Sequence, residues 1–176
     1  MNFFKIRPNE KHPSILLFIM FYCISTASIT GAAFRDAIFL IRFDKTYLPL
    51  MYVFIALIMA MAIEAYKKFT LEKDQITLIS ISGSIFSISL LLFQLYMPDW
   101  AIPVFYIWME IVTILSIMQF WILAGAVFNS RQAKRLFPLI IAGGSISAIS
   151  AGYSISPFVE FFGSHNILYL TLLFLI

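Results

Sequence analysis

The chain has 176 residues, of which 61% are hydrophobic and 12% charged, with a formal net charge of +3. A soluble domain carries about twice that share of charge, and 20.1 kDa of soluble fold has too little interior to hide so much apolar surface, so the bilayer is the expected solvent. One cysteine (Cys23), two distant histidines (His12 and His165) and no glycine-rich phosphate loop or nucleophile motif argue against an internal disulfide, a metal centre and covalent catalysis. No enzyme activity, no cofactor and no nucleic-acid partner are therefore expected.

Residues 1–13 carry Lys5, Arg7 and Lys11 and read as a cytoplasmic segment ahead of the membrane domain, 14–176. Ser14–Phe34 holds no charge and exceeds the roughly 7–15-residue apolar core of a signal peptide, so it reads as a retained first helix. Ala37–Ile41 is apolar too, which extends that helix to about 14–43. Arg35-Asp36 and Arg42-x-Asp44-Lys45 close it. Arg35 and Arg42 lie seven apart, about two turns, and share a face.

The second helix, about 46–66, has Pro49 in its first turn, and Glu64 pairs with Lys67 and Lys68 at helical spacing. The third, about 75–97, carries Ser80, Ser82, Gly83, Ser84, Ser87 and Ser89, whose hydroxyls are expected to bond to their own helix or a neighbour. Gln94 there, and Gln119 in the fourth helix, are intramembrane amides that need partners.

The fourth helix, about 102–129, lies in Trp100–Ser130, where Glu110 is the only charge. A carboxylate at mid-membrane costs roughly 2.5–3.5 kcal/mol. Such a residue is expected to face a polar cavity or a partner. Pro103 at the helix start puts Glu110 about two turns, ~10 Å, from one surface. Tyr106, Glu110, Ile117 and Trp121 fall within about ±40° of one another around the helix. Arg35 is the natural partner at that depth. Two readings remain open: a substrate cavity walled by Glu110 and Arg35, or an ion pair that fixes helix packing.

Asn129–Pro138 follows as a basic loop bearing Arg131, Lys134 and Arg135, either topogenic or acting as a gate and attractor for phosphates. The fifth helix, about 137–159, carries two rows of small residues, Gly144/Ala148/Gly152 and Gly143/Ser147/Ala151, which allow close helix approach. Asn166–Ile176 begins a sixth helix. At about 1.5 Å per residue it reaches ~16 Å, half of the ~30 Å hydrocarbon core, so the expectation is the first part of a longer polytopic protein or a truncated product. Nine Lys and Arg on the N-terminal side (5, 7, 11, 67, 68, 73, 131, 134, 135) against three on the other (35, 42, 45) favour a cytoplasmic N-terminus.

Three blocks resemble the ATP/ADP translocase-type nucleotide transporters of intracellular bacteria and plastids, distant members of the major facilitator superfamily. They are Arg35-Asp36 with Leu48-Pro49 and Tyr66-Lys67; Met109-Glu110-Ile111 with Phe120-Trp121 and Phe128-Asn129; and Ala133-Lys134-Arg135-Leu136-Phe137-Pro138-Leu139 leading to Gly152. The third run is the most specific. The resemblance implies an all-α polytopic bundle, a major facilitator-like N-terminal half with five full transmembrane helices and a truncated sixth, in a bacterial inner membrane. It implies ATP/ADP exchange by alternating access, with Arg35 and Glu110 in transport, Asp36 beside them, and Tyr106 or Trp121 stacking on a base. The translocases usually carry Lys before the Asp; Arg35 keeps the charge but offers a planar fork instead of a point charge. A solute carrier using Glu110 for protons and a sensor or anchor module of the same fold are the alternatives.

Overall fold

The computed structural model describes residues 7–70, 74–163 and 166–175. Lys5, Lys73 and His165 lie outside them. Six helices run in order: α1 (Pro8–Arg42), α2 (Leu48–Thr70), α3 (Gln75–Leu95), α4 (Ala101–Val127), α5 (Ser130–Phe162) and α6 (Ile167–Leu175), with a 3-10 turn at Lys45–Tyr47 between α1 and α2. No strand occurs among the described residues. Helices α1 to α5 are each long and apolar enough to cross a membrane, which makes this a multi-pass membrane protein by length and composition.

Two helices begin earlier than their apolar runs. α1 starts at Pro8, whose missing N–H costs nothing in a first turn, and the Glu10 carboxylate accepts the Arg7 N–H at 3.1 Å. α5 starts at Ser130, so Arg131, Lys134 and Arg135 stand on its first turns and not on a loop. The cause is local: Asn129 Oδ1 accepts the Gln132 N–H at 3.0 Å while Gln132 Oε1 accepts the Asn129 N–H at 3.1 Å. That reciprocal cap satisfies two orphan donors and starts the helix ahead of Pro138. Gly163, at φ 82°, ends α5 in a conformation a side chain would strain.

α1 and α5 run parallel. Reading down from their N-termini, Glu10 meets Arg135, Phe18 meets Gly143, Phe21 meets Gly144 and Thr26 meets Ser147. The row Gly143/Ser147/Ala151 is the buried one and seats α1, whereas Ala148 and Gly152 face outward. A Cβ on Gly143 would stand 3.0 Å from the Phe18 carbonyl oxygen, so the two backbones are as close as they can be. Thr30 Oγ1 and Thr171 Oγ1, 3.0 Å apart, join α1 to α6.

α3 and α4 are joined by hydroxyls. Ser82 donates to Gln119 Oε1 at 2.8 Å, and Trp108 Nε1 donates to Ser89 Oγ at 2.8 Å. Ser80 and Ser84 bond instead to carbonyls of their own helix.

The principal helix packings are α1 with α4, α5 and α6, α4 with α2 and α3, and α3 with α6. A weaker packing joins α5 to α6. α1 and α4 enter from opposite ends, since the C-terminal residue of α1, Arg42, pairs with Asp99 just before α4.

Buried aromatic and aliphatic side chains lie along α1, α4 and α5, including Phe39, Phe105, Tyr106, Phe120 and Ile140. The periphery is strongly apolar: Tyr153 is 81% and Phe161 83% exposed, with Leu57, Ile76 and Leu92 also outward. An apolar exterior over a packed interior is what lipid as solvent requires.

Candidate functional site

α1 and α4 bring Arg35 and Glu110 together. Arg35 stands seven residues before the end of α1, and Glu110 nine residues into α4, which places the pair roughly 10–14 Å from that end of the bundle. Arg35 Nη1 donates to Glu110 Oε2, and Arg35 Nε donates to Asp36 Oδ1 at 3.0 Å. One guanidinium thus serves two carboxylates from different edges, which its planar fork allows and an ammonium would not.

The third support is aromatic. The Arg35 guanidinium carbon lies 4.3 Å from the centroid of the Tyr106 ring, within range of a cation–π attraction. Tyr106 is itself fully buried and packs on Phe39 at 4.9 Å between centroids. Its ring is a floor for Arg35, with no face open to a base.

Exposure differs along the cluster. The Arg35 side chain is 9% exposed, Glu110 30% and Asp36 48%. The cation is held inside and the acids look outward from it.

Trp121 does not join this cluster. It lies eleven residues further along α4, about 16 Å away, among Phe21, Phe120 and Phe137 at 5.2–5.4 Å between centroids. Arg131 and Lys134 are exposed at the opposite end of the bundle. Arg135 there is tied to Glu10.

Glu10 is the polar centre that the sequence did not announce. It is 4% exposed, and its carboxylate accepts from the Arg7 backbone N–H, from Gln132 Nε2 at 3.1 Å and from Arg135 Nη2. The available signal was Glu10 at the third position of a helix opened by Pro8, a capping pattern.

A cleft of about 730 Å³ opens between α1, α3, α4 and the end of α6, with Ser80, Ser84, Ser87, Ser116 and Gln119 among its walls. Neither Arg35 nor Glu110 lines it. Among the described residues no group of His, Cys, Asp or Glu is placed to hold a metal ion.

No family model, no curated protein and no solved structure matches the chain.

Proposed function

We propose that this chain is the substrate-binding part of a secondary transporter of the major facilitator kind, exchanging phosphate-bearing anions, ATP for ADP, across a bacterial inner membrane with its N-terminus in the cytoplasm. The observation that carries the reading is the buried Arg35, shared by Glu110 and Asp36 and floored by Tyr106, between two helices long and apolar enough to cross a membrane. A cation in hydrocarbon is held at a cost that function usually explains. In the empty state Glu110 satisfies it. A nucleotide phosphate offers the same oxygens with more charge, takes the place of the partly exposed Glu110 carboxylate on the guanidinium and frees Glu110.

That competition gives exchange a physical basis. Arg35 has a partner with substrate bound or without, so neither state leaves a bare buried charge. The resemblance to the translocases supports alternating access, in which a helical half rocks against a second half about a site near mid-membrane. In this setting Arg131 and Lys134, exposed at the cytoplasmic end, draw anions towards the entrance.

The test is uptake of labelled ATP by cells expressing the protein, with Glu110→Gln and Arg35→Ala beside the wild type. Uptake that depends on internal ADP, and that falls at least tenfold in Arg35→Ala, is expected. Wild-type cells that take up no nucleotide would overturn the substrate; normal uptake in both variants would overturn the site.

A further inference from the structure

The Glu10 clasp does more than hold two helix ends. Glu10 bonds to Gln132 and Arg135, so it brings Arg7 and Lys11 of the first segment to the same end as Arg131 and Lys134, residues over a hundred positions later in the chain. All four are exposed, and none takes part in an ion pair among the described residues. The one acid in this group, Glu10, is already spent on Arg135. α1 and α5 are parallel, so both present their N-terminal backbone donors, the positive ends of their dipoles, at this same end.

We propose that this end of the molecule is a docking surface for the phosphate headgroups of anionic lipids. The partner is chosen by what lies next to the charge. Lys11, Ile15 and Ile19 are spaced by four on one face of α1, and all are exposed, Ile15 at 58%. On α5, Lys134, Pro138 and Ile141, spaced by four and three, are likewise exposed. Each helix thus shows a cation at the rim with apolar surface directly beneath, the order of a phospholipid whose headgroup lies over its acyl chains. A soluble anion would use the cations and gain nothing from the aliphatic rows. The surface lies at the opposite end of the bundle from Asp99 and the Arg35–Glu110 pair, and it stands whether or not the chain carries nucleotides.

The purified full chain in neutral detergent is mixed with phosphatidylglycerol or phosphatidylcholine of identical acyl chains, and retained lipid is counted by native mass spectrometry. Wild type is expected to retain the anionic lipid several-fold better, with the preference shrinking as salt rises. Lys11→Gln with Lys134→Gln, and separately Arg7→Gln with Arg131→Gln, should each weaken it by about fivefold per cation removed. These side chains are exposed and unpaired, so both variants should melt as wild type does, and the second pair guards against misfolding of the first. Equal retention of the two lipids by wild type, or an unchanged preference in both variants, would overturn the proposal. So would loss of the bound lipid to millimolar inorganic phosphate at matched ionic strength, which would make the surface a site for soluble phosphate.

Discussion

Arg35 and Glu110 stand 75 positions apart and meet where α1 crosses α4, with Arg35 held on its other edge by Asp36. The two ends of this bond are not equivalent. Removing Glu110 leaves a buried guanidinium that keeps its charge and still has Asp36. Removing Arg35 leaves two neighbouring acids, Glu110 and Asp36, without the cation that they share. Glu110→Gln should therefore cost about 2 kcal/mol of stability, below the ~3–5 kcal/mol typical of breaking a fully buried pair. Arg35→Lys should fall between wild type and Arg35→Gln, because an ammonium reaches one carboxylate but not both edges. Thermal unfolding in detergent checks the order. Equal melting temperatures for Arg35→Lys and Arg35→Gln would show that the fork geometry contributes nothing.

The glycines of α5 separate packing from propensity. A Cβ on Gly143 meets a backbone oxygen at 3.0 Å, which has no rotamer to escape by, and one on Gly144 meets the Phe21 ring at 2.7 Å. That ring stacks on Phe120 at 4.8 Å, so it is not free to swing away. Gly152 faces open space. Gly143→Ala and Gly144→Ala should each lose about 1–3 kcal/mol by overpacking. Gly152→Ala should gain about 0.5–1 kcal/mol from reduced chain freedom in the unfolded state. A set of three similar melting shifts would mean that α1 and α5 are not in the contact described.

What the sequence disclosed follows from how far each signal reaches. A lone acid in an apolar run is conspicuous, and a cation at matching depth on another helix is a short list, so the Arg35–Glu110 pair was legible. A shared stripe in the helical periodicity fixes azimuth alone, and distance along the axis follows from the number of residues between. That is why Trp121 shared a stripe with Glu110 yet lies about 16 Å along the axis in a different aromatic group. The same periodicity revealed both small rows of α5 but not which one seats α1, a matter of tertiary packing. Glu10 was hidden because one acid among Arg7, Lys11 and His12 looks like a solvated segment. Its burial comes from the first turns of α5 closing over it. Those turns read as a loop because their charges drew attention away from the Asn129 and Gln132 cap.

Two ion pairs join helix ends, and their environments predict different strengths. Arg42 Nε and Asp99 Oδ1 are 3.5 Å apart with side chains 57% and 70% exposed. Solvent and salt screen such a pair, so Asp99→Asn should change stability by less than about 1 kcal/mol. Glu10 is nearly enclosed and accepts from three donors. Glu10→Gln leaves Arg135 without its acid and weakens a helix start, so it should lower the melting temperature clearly more than Asp99→Asn does. The reverse order would mean that the clasp is not formed in the membrane-extracted protein.

Asp44 gives a pH dependence whose sign is fixed by its contacts. Its carboxylate accepts the Thr46 backbone N–H at 2.8 Å and starts the 3-10 turn between α1 and α2. That backbone bond, aided by the Thr46 side chain, holds the carboxyl below its ordinary value against a smaller opposing effect of burial. A depressed folded value means that the ionised form is the stabilising one. The contribution is fully present above the ordinary Asp value of about 3.9 and is lost as pH falls through the lower, folded value. The Asp44 carboxyl carbon, followed by NMR in micelles, should titrate below ~3.9, and the Thr46 amide proton should shift with the same midpoint as its acceptor is neutralised. Asp44→Asn keeps an acceptor at every pH and should abolish the Thr46 transition while leaving the turn in place. A carboxyl midpoint at or above the ordinary value, or a Thr46 amide indifferent to it, would show that the capping bond is not made in solution.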